Sequence, residues 1–319
     1  MSPRARLRLS DLSEEGILER ILPRFAARQG DLVGPGDDAA VLRLTSDTLV
    51  ATTDAFVRNR DWVDAWSTPA DVAVKCLTQN LADIGAMGAV PTSLLVTLVA
   101  DPATEVDWVE RFAEALGVGC ARAQVSVLGG DLSSAPEGVL VISVTALGQL
   151  AGRPPVRRGG ARPGDVVAVA GTLGTAGAGL LLLQRQGPSD DPLVAAHLRP
   201  TGAWWEGPPA ADAGATAMID ISDGLLRDVD RVGRASGVRV DLSRAALGPD
   251  VERLVPAVGA ADALTCVLTG GEEHSLVATF PSVSPLPDGW RVIGAVHEGA
   301  GIGVDGADAV PAGWDHFAG

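Results

Sequence analysis

Ile17, Leu18, Ile21, Leu22 and Phe25 recur at helical spacing behind Ser13, with Glu14 and Glu15 in the first turn. This predicts an amphipathic helix from Ser13, stopped near Gly30. Residues 39–44, a Thr-Ser-Asp turn and residues 49–53 then predict a hairpin. Thr68-Pro69 opens a second helix, with proline in the first turn where its missing N–H costs nothing. Val72, Cys76, Leu77, Leu81 and Ile84 carry that helix to about Met87, before Gly88 and Pro91. A strand over 93–99, a helix over 104–122, a short strand over 125–128 and a long strand over 139–147 complete the first half. Strand pairs mixed with helices predict an α+β fold with helices on one face of a sheet.

Residues 151–164 are dense in Pro, Gly and Arg and read as a connection, dividing the chain into domains 1–150 and 151–319. Two domains of roughly 150 residues also fit a chain of this length. The second half opens with a buried strand over 166–170, a glycine run over 171–179 and an apolar helix over 180–184. Residues 187–210 are low in apolar periodicity, hold seven prolines and tryptophans between Pro188 and Pro209, and read as a loop-rich excursion. Met218-Ile219 end a strand, Ser222 is placed to cap a helix through Leu225, Leu226, Val229 and Val232, and Gly237 closes it. Strands follow over 238–242, 276–280 and 291–296.

A formal net charge of −15 argues against nucleic-acid or anionic-membrane partners, which want basic stripes. Cys76, Cys120 and Cys266 show no CxxC spacing, and reduced core thiols are expected. No segment reaches about 18 uninterrupted apolar residues, and the basic N-terminus lacks an apolar h-region, so a cytoplasmic protein is expected.

The polar positions cluster where apolar elements meet turns: Gly36-Asp37-Asp38, Thr52-Thr53-Asp54, Asn80 with Asp83, Gly129-Gly130-Asp131, and 219–224. Asn80 and Asp83 share a helix face. Carboxylates converging on one cleft repel unless cations sit between them. Mg²⁺, an oxygen-seeking ion usually shared with substrate phosphates, answers that need. One such aspartate alone is equally an N-cap or Asx-turn; five clusters together weaken that reading. Gly129-Gly130 would allow a close backbone approach to a ligand, or simply mark a strand exit. Asp220, Ser222 and Asp223 precede a helix whose N–H groups could receive an anion, or Ser222 and Asp223 merely cap it. The run GTLGTAGAG is not GxGxxG, and GxxxxGK[ST] is absent. No histidine has a serine elbow or reactive cysteine near it, and His274 reads as a pocket or surface side chain. Trp204 and Trp205 read as packing or loop anchors, and Trp314 as a packing residue or a cover for a flat ligand.

GDDAAVL (36–42), TTDAFV (52–57), QNLADIGAMGA (79–89), GGDLS (129–133), GRPPVRRGGARPGD (152–165), IDISDGLLRD (219–228) and TGGEEHSL (269–276) stand in this order, with a closing GWDHF. The ordered set resembles the thiamine-monophosphate kinases, in the superfamily of aminoimidazole ribonucleotide and selenophosphate synthetases. The resemblance implies ATP-dependent, Mg²⁺-dependent phosphorylation of thiamine phosphate to thiamine diphosphate. It implies a homodimer whose N-terminal mixed or antiparallel sheets pair across the interface, and a C-terminal α+β domain that completes the active-site cleft. Metal ligands would be Asp38, Thr52, Thr53, Asp54, Asp83, Asp131, Asp220 and Asp223. Gly130, Asp131, Arg153 and Ser222 would hold ATP, and Glu272 and Trp314 would face the thiamine moiety. No side chain acts as general base in this scheme.

Three positions depart from the family pattern. Asp61-Trp62 stand where a His-Phe pair touches substrate, so Asp61 becomes the substrate-side residue. Glu273 replaces a shorter carboxylate, and TGAWWEG (201–207) follows HLRP. All three are expected on the substrate side. A carboxylate at 61 would favour a cationic thiazolium or disfavour a phosphate. The competing readings are a related ATP-dependent kinase or synthetase acting on another small phosphate or amine, and a nucleotide-binding paralogue without turnover.

Overall fold

The computed structural model describes residues 7–26, 28, 31–35 and 39–315. Its internal contacts separate two units, Met1–Asn80 with Pro91–Gln149, and Leu81–Val90 with Leu150–Gly319. Both are mixed α and β.

Unit 1 begins with α1 (Glu14–Ile21), where Ser13 accepts a hydrogen bond from the Gly16 N–H at 3.2 Å. The helix ends earlier than predicted. Pro23 has no N–H to donate, and the chain tightens into a 3₁₀ turn at Leu22–Arg24. The hairpin predicted over 39–53 does not form. Instead β1 (Asp31–Val33) pairs antiparallel with β2 (Val41–Leu42). Four strands make the main sheet: β3 (Val50–Val57), β4 (Val90–Ala100), β5 (Ser126–Ser134) and β6 (Leu140–Gln149), in the order β3-β6-β4-β5. The two-residue β2 offers β3 almost no ladder, whereas β6 pairs with all eight of its residues. The gain in ladder outweighs the extra loop-closure entropy, which grows only slowly with loop length.

Two helices belong with this sheet. In α2 (Pro69–Ala86) the Asp71 carboxylate accepts from both the N–H and the hydroxyl of Thr68 at 2.7 Å, while the Asp71 N–H donates to Thr68 Oγ1 at 3.3 Å. That reciprocal cap fixes where the helix starts. Its Leu81–Ala86 end belongs to unit 2. In α3 (Val106–Ala123) Trp108 stacks on Phe112 at 5.7 Å and on Trp62 at 6.3 Å.

Unit 2 holds a seven-stranded sheet. Its elements are β7 (Asp165–Ala170), α4 (Thr175–Gln186), α5 (Pro192–Leu198), α6 (Gly207–Asp212), β8 (Ala217–Asp220) and α7 (Leu225–Ser236). Then come β9 (Arg239–Leu242), α8 (Arg244–Val258), α9 (Ala260–Thr269), β10 (Leu276–Pro281), β11 (Trp290–His297), β12 (Gly301–Val304) and β13 (Ala307–Asp308). The order is β13-β12-β9-β11-β7-β10-β8, and among the described pairings of this sheet only β12 with β9 is parallel. The stretch 187–210 corrects the sequence reading. It contains α5, a 3₁₀ turn at Trp204–Glu206 and the start of α6. Pro192 and Pro208, which look like breakers, lie in first turns, and Asp191 caps α5 through the Leu193 N–H at 2.8 Å. Trp204 and Trp205 meet edge to face at 5.5 Å.

Among the described residues no helix is long and apolar enough to cross a membrane. Cys76, Cys120 and Cys266 are free and buried.

Candidate active site

Between β8 and α7 the chain passes through Ile221, Ser222, Asp223 and Gly224. Ser222 does not cap α7. The N-cap is Gly224, which has no side chain, and Asp228 reaches back from within the first turn. Its Oδ2 accepts from the N–H groups of Ser222, Asp223 and Gly224 at 3.1, 2.9 and 3.0 Å. Its Oδ1 meets the Arg231 guanidinium, which also pairs with Asp223 at 2.6 Å. The N–H groups of Ser222, Asp223 and Gly224, just before the helix, are therefore filled from inside. Asp228 is completely buried. Burial pushes its carboxyl up to about 7 and the nearby Asp220 adds to that, against Arg231 and the Asp223 N–H. The sequence carried a signal for this residue: Asp228 falls on the same helical face as Leu225, Val229 and Val232, where an aspartate needs a partner.

The carbonyls of the same strip are equally committed. Ile221 accepts from the His274 N–H at 2.8 Å, Ser222 from Glu272 at 2.8 Å and Asp223 from Trp314 at 2.9 Å. Glu272 and Trp314 thus hang from adjacent carbonyls, beside Asp220 and Asp223. Two non-glycine residues here, Glu272 (φ +64°) and His274 (φ +51°), hold left-handed backbone. Such conformations persist where the surroundings over-determine them.

Glu273 supplies that constraint. Its Oε1 accepts from the Thr172 hydroxyl at 2.6 Å and the Thr175 N–H at 3.1 Å, and its Oε2 from the Ala176 N–H at 2.8 Å. It is buried, and it caps α4 rather than facing a substrate. His274 is buried too, not a surface side chain, with Nδ1 3.4 Å from Asp220 Oδ2. Burial works to lower its proton affinity. The Asp220 hydrogen bond and the charges of Asp220, Glu272 and Asp83 outweigh it, so the imidazole is raised. That balance marks a focus of negative charge in unit 2.

In unit 1 the predicted residues are arranged differently. Asp38 lies outside the described residues. Alternation along β3 puts Thr52 and Asp54 on its half-buried face and Thr53 on the exposed one. The Thr53 hydroxyl donates to the Val144 carbonyl at 3.1 Å, so Thr53 could join Asp54 at one ion only through its main chain. Gly130 and Asp131 are inside β5, not in a turn. A Cβ at Gly130 would stand 1.7 Å from the Val96 carbonyl oxygen, so the glycine is required by the approach of β4. Asp131 is exposed and accepts from the Ser133 hydroxyl at 2.7 Å. β3 and β5 are the outer strands, with β6 and β4 between them. Asp61 closes the turn after β3, its Oδ2 accepting the Val57 N–H at 2.7 Å, while Trp62 is buried and donates to Asp64 at 2.9 Å. In unit 2 Arg153 forks onto both oxygens of Asp212 at 2.7 and 2.8 Å.

Among the described residues no three acidic, histidine or cysteine side chains stand close enough to hold a metal on their own. The donor chemistry still fits a hard divalent cation. The candidates offer carboxylate, hydroxyl and carbonyl oxygens, and Asp83, Asp220 and Glu272 jointly bias one buried imidazole toward its charged form.

Residues 36–150 match the AIR synthase related protein N-terminal domain. A thiamine-monophosphate kinase from Mycobacterium tuberculosis is 41% identical over 313 residues, which cover 97% of this chain and 93% of that protein. A solved thiamine-monophosphate kinase from Stenotrophomonas maltophilia superposes with a TM-score of 0.80 at 31% identity, over 93% of this chain and 98% of its own. The structure of AaThiL complexed with AMPPCP and TMP superposes with a TM-score of 0.78 at 32% identity, over 98% and 100%.

Proposed function

The chain belongs to the thiamine-monophosphate kinase family, and from that premise we propose how its residues work. The protein transfers the terminal phosphoryl group of ATP to thiamine phosphate, giving thiamine diphosphate and ADP. A phosphate monoester has a second pKa near 6, so the attacking oxygen is already anionic at neutral pH. No general base is required, and the transfer is direct and in line. The barrier is the approach of two polyanions, which positioning and charge neutralisation lower.

Asp54, Asp131 and the Thr52-Thr53 segment in unit 1, and Asp83, Asp220 and Asp223 in unit 2, would hold Mg²⁺, together with Asp38. Bound there, Mg²⁺ would supply positive charge against the phosphates of the two substrates. The Glu272 carboxylate complements a cationic thiazolium, and the Trp314 indole offers it a flat face. Gly130 and Ser222 lie along the ATP-binding segments. Arg153 reaches ATP by exchanging one carboxylate partner, Asp212, for phosphate oxygens of the same geometry. The observation that carries this reading is the suspension of Glu272 and Trp314 from neighbouring carbonyls of the strip that bears Asp220 and Asp223.

The enzyme works as a cytoplasmic homodimer in this proposal. Support for the dimer is the outward face of β3, where Ala51, Thr53, Ala55 and Val57 are exposed.

The test is ADP release by purified protein with ATP, Mg²⁺ and thiamine phosphate, with the product identified by mass. Thiamine diphosphate is expected. ATP consumption without it would move the assignment to another phosphoryl acceptor. Asp54→Asn should cut turnover by at least about a hundredfold without changing the melting temperature; a fully active variant would remove Asp54 from the metal set.

A further inference from the structure

Asp223 receives a second segment of unit 2 besides α7. The Trp314 N–H donates to its carbonyl at 2.9 Å. Asp315 Oδ2 pairs with Arg227 Nη2 at 2.7 Å, and Arg227 Nε lies 3.9 Å from the Asp223 carboxylate. One arginine on α7 therefore faces the carboxylates of both Asp223 and Asp315. Gly313 packs so tightly here that a Cβ would stand 2.3 Å from the Asp223 carbonyl oxygen and 3.1 Å from Arg227 Cβ. Three consecutive residues, Gly313, Trp314 and Asp315, each make a contact of a different kind with Asp223 or Arg227. Between these anchors Trp314 stays 46% exposed.

We propose that Arg227, Asp315 and Gly313 form a latch that positions Trp314 as a wall of the phosphoryl-acceptor pocket. This rests on the kinase reading above and on the acceptor-facing role of Trp314. None of the three touches substrate; they are positioning residues that act through Trp314. An exposed indole on an untethered segment would lose rotational and backbone freedom each time an acceptor bound. The latch removes that loss beforehand, so it strengthens acceptor binding and leaves the phosphoryl step alone. The ion pair is partly exposed, with side chains 26% and 36% accessible, so its share is modest and sensitive to salt. The steric fit at Gly313 is the stiffer part.

The test uses the full chain with Asp315→Asn and, separately, Gly313→Ala. One removes the charge and the other the fit, so loss of folding in one leaves the other informative. Hydrogen exchange of the peptide containing Trp314 reads the latch directly, and steady-state kinetics read its effect. Exchange should rise in both variants. The KM for thiamine phosphate should rise about fivefold in Asp315→Asn and about tenfold or more in Gly313→Ala, with KM for ATP and kcat moving less than about twofold. The Asp315→Asn effect should also shrink at high salt. Unchanged exchange in both variants would overturn the latch. Raised exchange with an unchanged acceptor KM would overturn its role in positioning, as would an unchanged KM in Trp314→Ala. Wild-type turnover measured alongside separates the levels. Absent thiamine diphosphate strikes the kinase reading itself, whereas normal turnover with unaltered variants strikes only the latch.

Discussion

Asp228 and Glu273 in unit 2 are held in the opposite way to Asp131 in unit 1. In unit 2 Asp228 is fully buried, takes three backbone N–H groups and an arginine, and shapes the strip that carries Asp220 and Asp223. Glu273 likewise locks the loop bearing Glu272 onto α4. In unit 1 Asp131 is exposed on a strand whose ladder to β4 is made by the backbone. Charge is part of the fold in the first case and an addition to it in the second. The same residue type should therefore fail in different currencies: stability where the carboxylate is internal, turnover where it is displayed.

The sharpest way to break this contrast is to compare Asp228→Ala with Asp131→Asn. Removing Asp228 strands three N–H groups and leaves Arg231 without its buried partner. The expected loss is about 3–5 kcal/mol of stability, because one half of a buried network is left uncompensated. Asp131→Asn should stay within about 0.5 kcal/mol of the parent while turnover falls steeply. Denaturant unfolding and the ADP assay on the same samples would show it. Equal losses of stability in the two variants would end the distinction.

A smaller effect separates capping from substrate contact at Glu273. Glu273→Ala should cost about 1–2 kcal/mol, the range of a lost helix cap, with Glu273→Asp recovering part of it. Were Glu273 on the substrate side, the acceptor KM would rise with no change in unfolding. The loop's left-handed residues predict that any KM effect in Glu273→Ala accompanies the stability loss and does not occur without it.

Much of this was legible from residue order. Apolar period and boundary residues located α2, α3, α7 and the central strands within a few positions, because apolar faces and Thr-Pro or Gly boundaries act locally, although Ser222 is not the cap of α7. Pairing was not legible: 39–53 reads as a hairpin, yet β3 chose a partner far along the chain for its longer ladder. Prolines misled over 187–210, since a helix-starting Pro192 and a breaker look alike until Asp191 is seen capping the turn. At the site, motif order named Asp220, Asp223, Glu272 and Trp314, and unit 2 groups them through the carbonyls of 222 and 223 and the β8 strand end. Motif order could not show which carboxylates point inward. Asp228 and Glu273 are defined by N–H groups on other turns, and an extra methylene at 273 acquires meaning only once the α4 N-terminus is seen beside it.

The finest test isolates burial from hydrogen bonding, which coincide at Asp228. Asp101 in unit 1 also accepts backbone N–H groups, from Gly138 and Ala103 at 2.7 Å each, but it does so at the surface. The Gly138 and Ala103 hydrogen bonds hold its carboxyl below the ordinary value, whereas burial drives Asp228 above it. The signs follow. A lowered carboxyl leaves the folded state binding fewer protons than the unfolded chain near pH 4, so Asp101 adds stability above the unfolded value and loses it as pH falls through the folded one. A raised carboxyl does the reverse, so Asp228 weakens the fold as pH climbs from about 4 toward its own folded value near 7. Asp101→Asn should then melt on the order of 1 °C below the parent at pH 7, with the gap closing below about pH 4. A gap that persisted unchanged to pH 2 would mean that the Gly138 and Ala103 hydrogen bonds do not depend on the Asp101 charge, and that burial alone separates the two carboxylates.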